Sequence, residues 1–225
     1  MTPIILINHN RLVSIEKLCD QLLVLGYTDI HIADMGSTYL ELLSWYEHLR
    51  LFSSLGITVH NFENLGHKGI WNNGFIKSFD TEWVCVSDSD IELSVDTPKD
   101  FIEQMITVAK DYRVDKCGLA IKYKGLSNKY LANIVEPIEA QYWKQKLVHH
   151  KHSVYNAPVD TTMCVVRPKL PFQYEAVRLA DWPIRHLDWY SDFSNLTEEE
   201  QFYMDTADEK ISTTKQHYLK WLKEH

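Results

Sequence analysis

The sequence predicts an α/β fold in which a mostly parallel central sheet is flanked by helices. Three observations lead to this prediction: short apolar runs alternate with segments of helical periodicity, glycines end the helical segments, and polar residues follow the apolar runs. Alternation of strand and helix implies right-handed crossovers and parallel strands. A chain of 225 residues is long enough for one domain with an ample core.

The first half of the chain alternates strand with helix. The apolar run PIILIN (3–8) predicts a fully buried strand, and apolar residues from Leu12 to Leu25 recur at helical spacing until Gly26. The same reasoning predicts a strand at DIHIA (29–33), a helix over 37–52 capped by Ser37 or Thr38, a strand at ITVHNF (57–62), a short helix within ENLGHKGIWNNGF (63–75) and a strand at EWVCVS (82–87).

The second half is less regular. A helix is predicted from Pro98 to Tyr112, and an acidic helix is expected to start at Thr197. The remaining predictions are strands at CGLAIKY (117–123) and TTMCVVR (161–167), a helix in EPIEAQYWKQKL (136–147) opened by Pro137, and a loop over 168–183. We expect a single domain over 1–210 and a helical tail over 211–225, which packs on the domain or contacts a partner or a membrane surface.

Composition argues against several classes of protein. The formal net charge is −8 and the sequence pI is about 5.7, whereas a nucleic-acid-binding protein needs a basic face. No apolar run is long enough for a transmembrane segment, and the start MTPIILINHN lacks the basic region of a signal peptide. Four widely spaced cysteines without a CxxC pattern predict buried free thiols. These features predict a cytoplasmic protein with no nucleic-acid partner.

The stretch VCVSDSDIEL (84–93) carries an apolar strand into two carboxylates, Asp88 and Asp90. Like charges so close repel each other, and burial makes each of them costlier. If the chain stays extended there, the two side chains share one face, at the sheet edge where such folds bind ligands. Two hard oxygen donors suit Mn²⁺ or Mg²⁺, which takes further ligands from substrate phosphates. The pair therefore indicates glycosyl or nucleotidyl transfer from an activated donor.

Several segments together resemble one enzyme family. They are residues 3–46, NLGHKGIW (64–71), VSDSDIEL (86–93), APVDTTMCVVR (157–167), RLADWPIRHLDWY (178–190) and TEEEQFY (197–203). Their order resembles that of small, DXD-containing glycosyltransferases of the GT-A fold related to the family-2 group. The resemblance implies transfer of a sugar from a nucleoside-diphosphate sugar, a UDP-sugar in particular, to a hydroxyl group of a glycan or glycoprotein acceptor.

The resemblance also implies roles for individual residues. The metal would be bound by Asp88 and Asp90, with His186 as a third ligand or a diphosphate contact. Residues implied in binding the nucleotide sugar are Asn8, Arg11, Asp34, Ser37, Asn64, Gly66, His67, Trp71 and Asp88. An inverting enzyme needs a general base beside the acceptor, for which Asp160 is favoured over Asp188. A retaining mechanism stays open.

Two other functions stay open. A sugar-phosphate nucleotidyltransferase shares the sheet and the carboxylates but should carry a Gly-rich or Lys-Arg signature after the first strand, which NHNRLVS (8–14) lacks. A non-catalytic glycan- or partner-binding module predicts no Mn²⁺-dependent nucleotide binding.

HHKH (149–152) predicts a solvated basic loop rather than a zinc site. Relatives of this size occur in bacterial surface-glycan pathways and in large viruses, where the protein would lie in the host cytoplasm.

Overall fold

A mixed ten-stranded β-sheet forms the centre of the part of the protein that the structure, a computed structural model, describes: residues 1–51 and 53–225. The strands are β1 (Ile4–Asn8), β2 (Ile30–Met35), β3 (Ile57–Phe62), β4 (Val84–Asp88), β5 (Ile91–Glu92), β6 (Lys116–Ile121), β7 (Lys146–Leu147), β8 (Val154–Asn156), β9 (Cys164–Val166) and β10 (Val177–His186). The helices are α1 (Val13–Val24), α2 (Leu40–Leu51), α3 (Gly69–Asn72), α4 (Phe101–Tyr112), α5 (Lys129–Tyr142), α6 (Glu198–Thr206) and α7 (Thr213–Glu224).

The strands lie in the order β3-β2-β1-β4-β9-β6-β10-β8-β7, and β5 pairs with β10. The first four strands of this order are parallel, as predicted. Strand β9 then runs antiparallel to both β4 and β6, whereas β10 is parallel to β6. The predicted α/β class, with helices flanking a central sheet, is confirmed.

Parallel register places polar side chains at one edge of the sheet. Asn8, the last residue of β1, lies opposite Asp34 of β2, and its neighbour Ile7 lies opposite Asp88 of β4. All of these strands end at the same edge because they run in the same direction. The edge is therefore supplied with polar groups by three adjacent strands.

Apolar side chains cover both faces of the sheet. In β1, Ile4 and Leu6 belong to one buried cluster, whereas Ile5 and Ile7 belong to another on the opposite face. Such burial on both sides is what a continuous apolar run predicts for a parallel strand. The cysteines are buried and free, as the sequence predicts: Cys19, Cys85, Cys117 and Cys164.

Helix α5 begins earlier than predicted. It starts after Asn128, whose side chain accepts a hydrogen bond from the Leu131 N–H at 3.0 Å, so Pro137 lies inside the helix rather than at its start. The prediction that Pro137 opens the helix was therefore wrong. Pro137 is exposed, so the helix accommodates its missing N–H on the solvent side.

The predicted loop over 168–183 was also wrong in part, because β10 occupies Val177–His186. Pro183 interrupts the apolar pattern of this strand, so the sequence did not predict a strand there. The pairing of β10 with β6 shifts register between Leu179 and Ile184, and Pro183 falls in that irregular part. Proline is tolerated at such an irregularity because no regular ladder hydrogen bond is lost.

The last two helices pack against the rest of the chain. Thr197 caps α6 with a capping box completed by Glu200, which confirms the predicted start of this helix. Tyr218 and Trp221 of α7 pack beside Phe193 and Leu131. Among the helices within the described residues, none combines the length and apolar character that crossing a bilayer requires.

The remaining helix predictions agree with the structure except at the start of α2 and of α4. Helix α2 begins at Leu40, so Ser37 and Thr38 lie before it and the prediction that one of them is its N-cap was wrong. Helix α4 begins at Phe101, three residues beyond the Pro98 that was predicted to open it. Phe52, the predicted last residue of the second helix, lies outside the described residues.

Gly56, which precedes β3, provides a test of this packing. Its φ is +72°, and an added Cβ would lie 1.9 Å from the Thr28 carbonyl oxygen. Gly74 has a φ of +79° but open space around the same position. We expect Gly74→Ala to cost about 1 kcal/mol through the left-handed backbone alone, and Gly56→Ala to cost clearly more because backbone must move. Urea unfolding of both variants measures the difference, and equal costs would contradict the Thr28 contact.

Candidate active site

A cavity of about 220 Å³ opens at the carboxyl edge of the sheet, beside the ends of β1 and β4. Ten residues predicted for the site line it: Asn8, Arg11, Asn64, Gly66, His67, Asp88, Asp90, Asp160, His186 and Asp188. They come from segments spread over most of the chain. The structure thus brings together the predicted metal, donor and base residues around one space.

Asp88, Asp90 and His186 form the acidic end of this cavity. One potential ligand atom from each lies within 4.8 Å of the others. The sequence analysis expected an extended chain to put both carboxylates on one face, but the chain turns at Ser89 and Asp90 instead. After the turn, Ile91 of β5 pairs with His186 of β10, and this antiparallel pairing brings the imidazole to Asp90.

Burial and repulsion make this carboxylate pair basic. Burial, and then the charge of Asp90, raise the pKa of Asp88 to about 7. The Thr161 hydroxyl opposes this rise, because it lies within hydrogen-bond distance of both Asp88 oxygens, at 2.7 and 2.8 Å. Burial also raises the pKa of Asp90, while His186 acts in the opposite direction. Carboxylates that are costly to ionise alone are stabilised by a cation placed between them.

His186 is oriented for a ligand. Its ring stacks on Trp189 with centroids 4.8 Å apart and planes within 1° of parallel. Its Nδ1 is buried without a hydrogen-bond partner and lies 3.2 Å from Asp90 Oδ2. Two ligands at right angles on an octahedral Mg²⁺ lie about 3 Å apart. Two carboxylates and an unpartnered imidazole nitrogen therefore fit a divalent ion such as Mn²⁺ or Mg²⁺.

Arg11 and Asp188 form a buried ion pair in the wall of the same cavity. Arg11 Nη2 lies 2.5 Å from Asp188 Oδ2, and the same oxygen accepts a hydrogen bond from the Thr214 hydroxyl at 2.8 Å. The guanidinium also lies over the Tyr203 ring, 3.6 Å from its centroid. Arg11 and Thr214 thus both donate to the same oxygen of Asp188.

Asp160 has a different environment. Its side chain is 48% exposed, and His67 Nε2 lies 3.7 Å from its Oδ1. The His67 ring is partly buried, and burial lowers its pKa. Of the two carboxylates predicted as the base, Asp160 is therefore accessible from the cavity, whereas Asp188 is buried.

Three predicted residues lie outside the cavity lining. Asp34 accepts hydrogen bonds from the Ser37 N–H and the Tyr46 hydroxyl, at 3.0 and 3.1 Å. The Ser37 hydroxyl in turn accepts a hydrogen bond from the Asn10 N–H. Trp71 is buried and packs edge-on against Phe172, with centroids 5.0 Å apart. A role for these three in nucleotide binding stays a prediction.

Solved structures with similar folds were found, although no protein-family model and no curated protein matches the sequence. S. aureus TarS residues 1–349 matches with a TM-score of 0.50 and 16% identity, over 100% of this chain and 72% of that one. Mannosyltransferase PcManGT from Pyrobaculum calidifontis, in complex with GDP-Man and Mn²⁺, matches with a TM-score of 0.52 and 13% identity, over 99% of this chain and 75% of that one. The fold is GT-A.

A third GT-A structure, GalNAc-T7 with UDP, GalNAc and Mn²⁺, matches with a TM-score of 0.52 and 10% identity. The match covers 83% of this chain but 43% of GalNAc-T7, so the chain spans less than half of that protein. At such identities the likeness is one of fold. The family resemblance implied by the sequence segments is thus confirmed at the level of the GT-A fold.

Sequence reasoning missed residues that assemble this GT-A site. Asn10 has a left-handed φ of +52°, and its side chain accepts hydrogen bonds from the N–H groups of Thr38 and Tyr39. Its amide also donates to the Thr206 hydroxyl at the end of α6. Asparagine is one of the few residues that adopt positive φ readily, so the Asn between two predicted site residues was a weak signal.

Glu199 was missed for a different reason. The sequence indicates that it favours the start of α6, but its carboxylate accepts hydrogen bonds from the Leu12 and Val13 N–H groups at 2.9 Å. It thereby caps α1, which has no capping side chain of its own. Because Glu199 lies almost the whole chain length away from α1 in the sequence, no local pattern indicates this cap.

The pKa of Asp88 makes metal-free stability depend on pH. Its folded pKa of about 7 lies above the unfolded value of 3.8. Stability is therefore lost as the pH rises from about 4 to about 7, because only the unfolded chain ionises freely there. Asp88→Asn should raise the free energy of unfolding by at least about 1.4 kcal/mol near pH 8 in EDTA, the equivalent of one pKa unit, and by much less near pH 4.

The matched control is Asp96→Asn, which makes the same charge change at an exposed position outside the cavity. Chemical denaturation of wild type and both variants at the two pH values measures these differences. A gain for Asp88→Asn that is the same at both pH values would contradict the electrostatic explanation.

Proposed function

We propose that this protein is a metal-dependent glycosyltransferase that transfers a sugar from a UDP-sugar to a hydroxyl group of a glycan or glycoprotein acceptor. The observation that carries this proposal is the convergence of Asp88, Asp90 and His186 in the cavity of a GT-A fold. Among its structural neighbours, GalNAc-T7 is in complex with UDP, GalNAc and Mn²⁺, and PcManGT is in complex with GDP-Man and Mn²⁺. UDP also occurs with TarS.

The three metal-site residues would hold Mn²⁺ or Mg²⁺ through two carboxylates and the free imidazole nitrogen. A divalent ion bound there supplies Lewis-acid stabilisation of the diphosphate leaving group. The wall formed by Asn64, Gly66 and His67 faces the same space and would orient the donor. Positioning of donor and acceptor supplies several kcal/mol of the barrier, about 7 or more in well-oriented cases.

Asp160 serves as the general base in this proposal. It must accept a proton from the acceptor hydroxyl while that oxygen attacks the anomeric carbon. Its half-exposed carboxylate is accessible, whereas Asp188 is engaged by Arg11 and Thr214. Asp188 then has a structural role: it neutralises Arg11 and ties the C-terminal segment to the cavity. The proposed location is the cytoplasm, of the host cell for a viral protein, which fits the four buried free thiols.

The metal test measures UDP binding by calorimetry with and without Mn²⁺. We expect Mn²⁺ to tighten UDP binding at least about tenfold, because an ion held by Asp88 and Asp90 would offset the negative charge of the diphosphate. Asp90→Asn should remove this gain, while the exposed Asp96→Asn should retain it. Equal UDP affinity with and without the metal would exclude this mechanism and favour a non-catalytic binding module. Release of pyrophosphate from UTP and a sugar 1-phosphate would instead indicate a nucleotidyltransferase.

The base is tested by Asp160→Asn. We expect kcat for sugar transfer to fall by about 10²–10⁴, with the Mn²⁺–UDP dissociation constant unchanged, because the carboxylate acts on the acceptor proton. The comparison variant Asp188→Asn should lower stability, since it leaves Arg11 buried without its partner. Normal turnover by Asp160→Asn together with lost turnover by a folded Asp188→Asn would transfer the base role to Asp188.

A further inference from the structure

Lys116, the first residue of β6, is a buried cation that the proposed mechanism does not use. Its side chain is 1% exposed, and its Nζ donates to the carbonyl oxygens of Val159 at 2.7 Å and Gln173 at 2.9 Å. It also lies 4.7 Å from the centroid of the Phe172 ring. The two carbonyls belong to segments of the chain that have no regular structure.

Its position is costly. None of the ion pairs found within residues 1–51 and 53–225 involves Lys116, so no carboxylate in that part of the chain compensates its charge directly. Burial of an ammonium group costs several kcal/mol, which hydrogen bonds to carbonyl groups offset only in part. A methionine would fill the same space without this cost. A lysine at this position therefore indicates that the hydrogen bonds of its ammonium group are needed.

Those donors hold the backbone that carries Asp160. Val159 N–H donates to the Tyr174 carbonyl at 2.9 Å, while the Val159 carbonyl is held by Lys116. The preceding carbonyl, of Pro158, accepts a hydrogen bond from Arg178 Nε at 2.8 Å. The two residues before Asp160 are thus held to neighbouring segments by three backbone hydrogen bonds.

The following residue, Thr161, is fixed as well. Its hydroxyl lies against the Asp88 carboxylate, and its carbonyl accepts a hydrogen bond from the Asp88 N–H at 3.0 Å. The Asp160 side chain, in contrast, is half exposed in the cavity, and among the described residues its one ion-pair contact is with His67, at 3.7 Å. Its direction is therefore determined by the backbone rather than by side-chain contacts.

Gly118 supports the same segment from the side. It stands two residues after Lys116 and so faces the same side of the sheet. A Cβ at Gly118 would lie 2.6 Å from Val159 Cγ1 and 2.9 Å from Cγ2. Val159 is fully buried, so a side chain at Gly118 would push the Val159 backbone rather than a free end. One strand thus contacts Val159 at both its carbonyl and its side chain.

We propose that Lys116 is a positioning residue for sugar transfer: its ammonium group holds the Val159 carbonyl and thereby directs the Asp160 carboxylate into the acceptor side of the cavity. This inference rests on the proposed function. Lys116 contacts neither the metal-site residues nor the cavity. Its charge contributes to the lowered pKa of His67 on the cavity wall, but its hydrogen bonds go to the segment that carries Asp160, so its removal acts on the base rather than on the binding of metal or nucleotide.

The test uses Lys116→Met, which keeps the apolar length but removes the donors, and Gly118→Ala, which displaces Val159 without any change of charge. Val108→Ala is the control, because Val108 packs in the apolar cluster on the opposite face of the sheet. We expect kcat to fall at least about tenfold in both test variants, since small misplacement of a reacting group is costly. The Mn²⁺–UDP dissociation constant should change by less than about twofold. Val108→Ala should lower stability and leave kcat near the wild-type value.

Amide hydrogen exchange provides a readout that does not need activity. Lys116→Met should speed exchange in residues 157–161 and 172–174, and leave β1 and β4 unchanged. The proposal would be overturned if Lys116→Met exchanged these amides at the wild-type rate. It would also be overturned if both test variants kept the wild-type kcat, or if Val108→Ala lost as much kcat as they do. If the wild type transfers no sugar at all, the proposed function fails by itself. The exchange measurement then still decides whether Lys116 holds the segment.

Discussion

The repulsion between Asp88 and Asp90 is the constraint on which the architecture of the site depends. Two carboxylates are held one residue apart at the end of a buried strand, where neither ionises easily. Arg11 lowers the pKa of Asp90, but less than His186 does, and its guanidinium is already paired with Asp188. The Thr161 hydroxyl and the His186 imidazole are the groups in direct contact with the two carboxylates, and they leave room for a cation. Two carboxylates that are costly to ionise without a counter-charge fit a divalent cation.

Strand pairing and hydrogen bonds to the backbone hold these groups in place. Parallel register fixes the ends of β1, β2 and β4, the pairing of β5 with β10 fixes His186, and the segment beside β6 fixes Asp160. Regular elements are stiffer than loops, so they keep reacting groups in place with little loss of entropy on binding. The buried pair of Arg11 and Asp188 closes the remaining side.

The sequence predicted those parts of the fold and site that are encoded locally. Apolar runs and helical periodicity predict β1–β4 and α1–α4 with small errors at their ends, and the carboxylate pair stands at a strand end that the sequence shows. Pro137 led to a wrong start for α5, because proline is common in the first turn of a helix, whereas here the helix begins at the Asn128 cap nine residues earlier. The predicted lining residues converge for a simple reason: parallel strands deliver their ends to one edge. Asn10, Glu199 and Lys116 act through contacts with distant segments, which no local pattern reveals.

The cap of α1 by Glu199 has a consequence for how the molecule reaches its final form. Residues 10–13 are joined by side-chain bonds to residues 188–206, so the two ends of the chain meet at the cavity wall. Closure of so long a loop is entropically slow and follows the formation of local structure. The cavity wall at Arg11 is therefore complete only when residues 188–206 have folded against residues 10–13. Any change that separates these two segments would therefore open the wall of the cavity, although the segments lie far apart in the sequence.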